Sequence, residues 1–179
     1  KAVEETLAQI QVKNIEDMYI LAKSRKGVKM LNTAIREKLL ETTETGFVEG
    51  DIVITTRNDY DSELKTANMF LKRLRQHRQD RPTIYNGTRG KVRKVTDELI
   101  TVEFTLPNGK KLEAEYSHLE VGWYLEHAFA MTVHKAQGGQ AKEVIFVEPQ
   151  PDSLYRSMLY TAFTRSTGNI TLIGGSRKD

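Results

Sequence analysis

The spacing of apolar residues predicts that the chain begins with an alternation of helices and strands. Apolar positions recur every three or four residues over 2–11 and again over 28–39, which predicts two amphipathic helices. Between them, the apolar run Met18–Ala22 has the length of a strand and is followed by a polar turn. A strand, a polar turn and an amphipathic helix in this order are typical of an α/β domain.

From residue 47 the pattern changes to short segments in which apolar and polar residues alternate. Such segments, separated by tight turns, predict a small barrel or curled sheet, and Pro107-Asn108-Gly109 is a strong hairpin signal. A helical pattern over residues 61–79 interrupts them. The predicted strands of this part are residues 52–55, 92–95, 100–106 and 112–116.

After Gly122 the α/β pattern returns, with a predicted helix over residues 153–164. The predicted strands here are residues 129–133, 144–147 and 170–173. The sequence therefore predicts an α/β fold in which a parallel-sheet domain, residues 1–46 and 123–179, is interrupted by an insert. That insert, residues 47–122, is predicted to be basic and mainly β.

Composition narrows the class of protein. Of the 179 residues, 39% are hydrophobic and 28% are charged, which is typical of a soluble globular protein. No apolar run approaches the roughly 18 residues that span a bilayer, so no membrane partner is predicted. Cysteine is absent and the histidines have no short ligand spacing, so neither a disulfide nor a metal site is predicted. The chain starts at Lys1 without a signal peptide, which we interpret as a fragment of a longer cytoplasmic protein.

Positive charge is concentrated in one segment. Residues 65–94 contain ten basic residues and one acidic residue, a net charge of +9, whereas the whole chain carries +3. A basic segment on an acidic body suits a polyanion, because phosphate contacts release counterions. A well-solvated helix face is the alternative interpretation, and a charge run by itself favours it.

The most specific stretch is residues 130–138, Ala-Met-Thr-Val-His-Lys-Ala-Gln-Gly. An apolar strand that runs into Thr132, His134 and Lys135 concentrates hydrogen-bond donors at the carboxyl edge of a sheet. Open α/β sheets bind their ligands at that edge. A glycine at position 138 lets the backbone approach a phosphate closely, and hydroxyl and imidazole groups suit sugar–phosphate contacts.

This stretch resembles motif V of superfamily 1 helicases, in the form found in the RecD-like and conjugative TraA-like branch. Residues 159–165, Leu-Tyr-Thr-Ala-Phe-Thr-Arg, resemble motif VI of the same family. Residues 20–32 resemble the strand, loop and helix around motif IV, with Arg25 in the polar turn. Weaker matches to segments that precede motif V in this branch are residues 50–53, 56–60 and 85–90.

The resemblance implies the second RecA-like domain, with a small β-barrel insert, of an ATP-dependent DNA helicase of 5′ to 3′ polarity. In this family ATP, with Mg²⁺, lies between two RecA-like domains, and single-stranded DNA crosses their tops. The P-loop belongs to the first domain, and the pattern G-x-x-x-x-G-K-[ST] does not occur in this sequence. This chain alone is therefore predicted to bind no cofactor and to be inactive as an ATP hydrolase. Its predicted partners are single-stranded DNA and the first RecA-like domain of the same polypeptide.

The resemblance also implies roles for individual residues. Arg165 is the expected arginine finger and hence the catalytic residue. The expected ATP contacts are Arg25, Gln137, Gly138, Gln140 and Arg165, of which Gln137 and Gly138 couple DNA contact to the γ-phosphate. The expected DNA contacts are Thr132, His134 and Lys135 in motif V and Lys72, Arg73 and Arg75 in the basic segment.

Two positions depart from the family pattern. Gln140 stands where the family usually has a glutamate, and Thr167 stands where it often has a second arginine. An alternative is therefore a degenerate helicase domain that only binds single-stranded DNA, as in a conjugative relaxase. A third hypothesis, a protein-docking barrel, would use exposed aromatic residues such as Tyr85, Tyr116 and Trp123. We instead predict that these lie in the core or lid of the barrel.

Overall fold

The computed structural model describes residues 2–10, 15–59, 84–106, 109–147 and 155–174. The helical pattern predicted over residues 61–79, together with Lys72, Arg73 and Arg75, lies outside these residues. The chain divides into two compact units. We call residues 1–43 and 129–179 the parallel-sheet unit and residues 44–128 the antiparallel-sheet unit.

Both units combine short helices with a sheet. The helices are α1 (Ala2–Gln9), α2 (Arg25–Leu40), α3 (His118–Tyr124) and α4 (Tyr155–Phe163). The strands are β1 (Met18–Ala22), β2 (Ile52–Thr55), β3 (Arg89–Val95), β4 (Leu99–Thr105), β5 (Lys111–Ser117), β6 (Leu125–His127), β7 (Ala130–Thr132), β8 (Ala141–Val147) and β9 (Ser166–Ile173). One sheet is parallel and the other antiparallel, so the predicted α/β class is confirmed.

Helix α3 and strand β6, which lie around the predicted end of the insert, are not among the elements that the sequence pattern predicts. A reciprocal capping box starts α3: the Ser117 hydroxyl accepts from the Glu120 backbone N–H, and the Glu120 carboxylate accepts from the Ser117 N–H. This is the sequence signature S-x-x-E, and it predicts a helix start that the strand pattern obscured. Because β6 pairs with β2, residues 123–128 fall in the antiparallel-sheet unit, although the predicted boundary placed them outside the insert.

The parallel sheet has the strand order β7-β1-β8-β9. Its central strands β1 and β8 are almost wholly buried, as expected for strands covered on both faces. Helix α2 starts at the Ser24 cap, whose hydroxyl accepts from the Gly27 N–H at 3.0 Å, and it buries Leu31 and Ile35 on one face. The helix ends where Glu41 adopts a left-handed backbone conformation, with φ of 52°.

Asn32 on α2 binds the outer edge of β7. Its amide nitrogen donates to the Ala130 carbonyl at 3.1 Å, and its amide oxygen accepts from the Ala130 N–H at 2.8 Å. Ala130 pairs with Ile20 of β1 in the parallel ladder. The side chain of Asn32, which is 8% exposed, therefore satisfies the edge strand's backbone groups as a further strand would.

The antiparallel sheet has the order β5-β4-β3-β2-β6. The strands β3, β4 and β5 form the meander that the alternating pattern predicted, and a bulge between Val92 and Lys94 interrupts the pairing of β3 with β4. At Gly90 a side chain would collide with the ring of Phe104, so close packing of β3 on β4 requires glycine there.

The core of the antiparallel-sheet unit contains one polar pair. Tyr116 and Asp59 are both fully buried, and the Tyr116 hydroxyl donates to Asp59 Oδ2 at 3.0 Å. Burial, and after it the nearby Asp59 carboxylate, raises the pKa of Tyr116 far above its ordinary value, so this hydroxyl remains a donor. Tyr116 thus lies in the core, one of the two predicted places, whereas Tyr85 and Trp123 are 49% and 65% exposed and lie outside the core.

The Asn32 pair gives a stability prediction. Asn32→Leu should lower the free energy of unfolding by about 1–3 kcal/mol for each backbone group of Ala130 that loses its partner. Urea denaturation of the full chain measures the total, and amide hydrogen exchange at Ala130 reports the local opening. The neighbouring exposed Thr33→Ala should change stability by no more than about 0.5 kcal/mol. Equal effects of the two substitutions would contradict the proposed edge-strand role.

Candidate functional site

The candidate site is built on the loop between β7 and β8, residues 133–140. In the parallel ladders Thr132, at the carboxyl end of β7, pairs with Ala22 of β1. Ala22 in turn pairs with Val147, at the carboxyl end of β8. The loop therefore starts at the carboxyl ends of the strands, which we call the carboxyl edge of the sheet. It ends at their amino ends, the amino edge, where β8 begins. Its two ends can serve different ligands.

At the carboxyl edge, Thr132 organises the first turn of the loop. Its hydroxyl accepts from the Lys135 N–H at 3.4 Å, and its carbonyl accepts from the Ala136 N–H at 3.2 Å. Thr132 is half-buried, whereas His134 and Lys135 are exposed. The structure thus brings together the three predicted DNA contacts of motif V, a hydroxyl, an imidazole and an ammonium group.

At the amino edge, Arg165 is bound to the other end of the same loop. Its Nη1 donates to the Gly139 carbonyl at 3.2 Å, and its Nη2 donates to the Thr164 hydroxyl at 3.1 Å. The Arg165 carbonyl accepts from the Ala141 N–H at 2.9 Å, which joins the starts of β8 and β9. Arg165 Nε is buried without a hydrogen-bond partner, and each Nη carries a second N–H besides the one that is bonded here, which suits an acceptor such as a phosphate oxygen.

Two adjacent glycines shape the loop before Gln140. Gly138 has φ of 90°, and open space surrounds the place where a side chain would stand, so backbone can be approached closely there. At Gly139 a side chain would collide with the hydroxyl end of Tyr19 on β1. Glycine at 139 therefore allows the loop to lie against β1, and this fixes the carbonyl that Arg165 contacts.

The predicted site residues separate into two groups. Arg165 and Gln140 lie at the amino edge, while Thr132, His134 and Lys135 lie at the carboxyl edge. Gln137 and Gly138 lie in the loop between them, and both are exposed.

Arg25, predicted as an ATP contact, starts α2 just after the carboxyl end of β1. It is exposed and lies at the carboxyl edge of the sheet, as Thr132 does, away from Arg165. The structure therefore places Arg25 at the opposite edge of the sheet from Arg165 and Gln140, two of the other predicted ATP contacts. Parallel strands explain this placement, because a residue that follows a strand and one that precedes a strand lie at opposite edges of the sheet.

Sequence reasoning also missed residues that support the site. Tyr19 lies against Gly139 of the loop, and Asn32 binds the strand before the loop. Only the Gly138-Gly139 pair is a local sequence signal for these contacts. The part of the chain that the structure describes contains no group of three or more potential metal ligands. None of the helices in the described ranges has both the length and the apolar character needed to cross a membrane.

Comparison with known proteins is consistent with this arrangement. Residues 127–173 match the UvrD-like helicase C-terminal domain. The chain is 34% identical over 122 residues to the ATP-dependent RecD2 DNA helicase of Deinococcus radiodurans, which covers 65% of this chain and 13% of that protein. It is 30% identical over 161 residues to the conjugal transfer protein TraA of Agrobacterium fabrum, which covers 88% of this chain and 13% of that protein. The chain thus spans about an eighth of the length of these relatives.

Solved structures show the same fold. Pif1 helicase from Bacteroides, in complex with ADP-AlF3 and single-stranded DNA, superimposes with a TM-score of 0.59 at 17% identity over 99% of this chain and 45% of that one. Pif1 helicase from Candida albicans superimposes with a TM-score of 0.56 at 16% identity, over 90% of this chain and 47% of that one. The α/β fold of the chain therefore resembles the RecA-like domain of these helicases. The family match, the RecD2 and TraA relatives and this fold together identify the chain as similar to superfamily 1 DNA helicases of the RecD-like and TraA-like branch.

Proposed function

We propose that this chain is a motor-domain part of an ATP-dependent DNA helicase that moves 5′ to 3′ in the cytoplasm. It binds single-stranded DNA and supplies Arg165 to ATP held by a first RecA-like domain of the same polypeptide. The observation that carries this proposal is the bond from Arg165 to Gly139. It ties the expected arginine finger to the loop whose other end presents Thr132, His134 and Lys135.

Arg165 is suited to a phosphate. The planar guanidinium has a second N–H on each Nη besides those bonded to the Gly139 carbonyl and the Thr164 hydroxyl, and these donors match the geometry of phosphate oxygens. Bound ATP with Mg²⁺ supplies the phosphoryl group whose transfer to water drives the motor. Arg165 stabilises the negative charge that develops on that group. Gln137 and the open backbone at Gly138 directly precede Gly139, whose carbonyl accepts from Arg165.

The carboxyl edge is suited to the DNA backbone. The Thr132 hydroxyl and the exposed His134 and Lys135 can donate to phosphate oxygens, which carry no sequence information. A movement of the loop at this edge shifts Gly139 and hence its contact with Arg165. We propose that this connection couples DNA binding to ATP hydrolysis, and that Arg25 acts on the DNA side because of its position.

A second candidate function is a binding module without catalysis. Gln140 and Thr167 replace two side chains that the family uses near the nucleotide, and conjugal transfer proteins are among the relatives. Thr167 is exposed, and its hydroxyl donates to the Ala141 carbonyl at 3.3 Å, so here it stabilises the strand start. In this case DNA binding persists and Arg165 has only a structural role.

The full chain alone should not hydrolyse ATP, because its sequence has no phosphate-cradling P-loop. Phosphate release by the purified chain, with and without oligothymidine, measures this. Turnover that Arg165→Ala abolishes would contradict the assignment of ATP binding to another domain.

In an intact helicase that contains this chain, Arg165→Ala should reduce kcat for ATP hydrolysis by about a thousandfold, because the finger acts on the transition state. The Kd for oligothymidine should stay unchanged. Arg156→Ala, which removes an exposed arginine on α4, is the matched control and should leave kcat unaltered. A decrease of less than about threefold for Arg165→Ala would favour the binding module.

The basic segment should add phosphate contacts. Each phosphate neutralised on a single strand contributes about −0.7 to the slope of log affinity against log salt concentration. Replacing Lys72, Arg73 and Arg75 together by alanine should therefore flatten the slope by up to about 2. Salt titrations of oligothymidine binding measure it, and an unchanged slope would indicate a solvated face that makes no DNA contact.

A further inference from the structure

The antiparallel-sheet unit exposes two aromatic residues on either side of the end of β2. The Thr55 hydroxyl donates to the Tyr85 carbonyl at 2.7 Å, and the Thr56 hydroxyl donates to the Trp123 carbonyl at 2.9 Å. Tyr85 precedes β3 and Trp123 precedes β6, the two neighbours of β2 in the sheet. The carbonyls of Tyr85 and Trp123 are therefore bonded to two consecutive residues, Thr55 and Thr56.

A cation and two amides lie on the same surface. Arg57 Cζ lies 5.5 Å from the ring centroid of Trp123 and 5.9 Å from that of Tyr124. Asn58 and Asn86 are exposed beside it, and the Asn86 N–H donates to Asn58 Oδ1 at 2.8 Å, which joins the two segments. We call Arg57, Asn58, Tyr85, Asn86 and Trp123 the aromatic surface.

The chemistry of the aromatic surface favours unpaired nucleotide bases. Bases stack on indole, phenol and guanidinium planes, and amides hydrogen-bond to base edges. The five side chains carry one positive charge and no negative charge, which suits a polyanionic strand. Asp59, next to Asn58, is buried and accepts from Tyr116. Of the two exposed acids three residues from Trp123, Glu120 accepts from Ser117, and Glu126 lies on β6.

We propose that Arg57, Tyr85 and Trp123 form a stacking site for bases of single-stranded DNA. The inference rests on the proposed function, because it uses the same ligand, but it adds base contacts to the phosphate contacts argued above. A protein partner is the competing occupant. It would also use Leu119, which is 87% exposed and lies one helical turn before Trp123.

Trp123 is the only tryptophan of the chain, so its fluorescence reports on this surface alone. Titration of the full chain with oligothymidine should quench this fluorescence, because a base stacks on the indole. A duplex of the same length, whose bases are paired, should leave it unchanged. An oligomer of abasic nucleotides should bind through its phosphates without quenching.

Variants separate stacking from other roles. Trp123→Ala should weaken oligothymidine binding by about five- to 150-fold, the range measured for single base–aromatic contacts, whereas Trp123→Phe should retain most of the affinity. Arg57→Ala should weaken binding more than Arg57→Lys, since only the planar guanidinium stacks. Leu119→Ala is the matched control on the same helix face and should change the affinity by less than about twofold. Thermal melting by circular dichroism checks that each variant folds, and Trp123→Phe and Arg57→Ala carry the test if Trp123→Ala does not fold.

Two outcomes would overturn the inference while leaving the proposed function intact. In the first, fluorescence anisotropy of a labelled oligomer shows oligothymidine binding, but Trp123 fluorescence does not change and Trp123→Ala binds with undiminished affinity. In the second, Leu119→Ala loses as much affinity for oligothymidine as Trp123→Ala does, which would indicate a general apolar surface suited to a protein. Absence of oligothymidine binding at low salt would instead contradict the proposed function and, with it, this inference.

Discussion

The position of β7 is the constraint on which the candidate site depends. This three-residue strand is paired with β1 on one side, and the Asn32 side chain binds the backbone of Ala130 on the other. The loop that carries both groups of site residues starts directly after it. A displaced β7 would move Thr132 at one edge of the sheet and, through the loop, the Gly139 carbonyl at the other. A buried amide on a helix therefore determines the geometry of groups that are far from it in sequence.

Much of the fold follows from local patterns. The apolar runs of β1 and β8 and the alternation in β4 and β5 predicted their strands, since each pattern reflects the burial of one or both sheet faces. Helix α3 was missed because a seven-residue helix between two strands has too few turns to show a period. Its Ser117–Glu120 capping box was the available signal.

The candidate site was less predictable than the fold. The string 130–138 predicted the loop on which the candidate site is built, because its polar side chains follow an apolar strand directly. The separation of that loop into two edges, and the placement of Arg25 away from Arg165, depend on strand order and parallel direction. No local pattern encodes these. The same holds for the contact between Arg165 and Gly139, which are 26 positions apart.

The topology of β1 has a consequence for synthesis of the protein. Both neighbours of this strand, β7 and β8, lie more than a hundred residues later in the sequence, after the residues of the antiparallel-sheet unit. At translation rates of about 5–20 residues per second, β1 waits roughly 5–20 s with both edges unpaired. Strands β2 to β5, which pair with one another in the described part of the antiparallel-sheet unit, can fold during that interval, whereas β6 is synthesised only just before β7. An apolar strand with unpaired edges is prone to aggregation, so this topology exposes the nascent chain to that hazard until residue 147 has been synthesised.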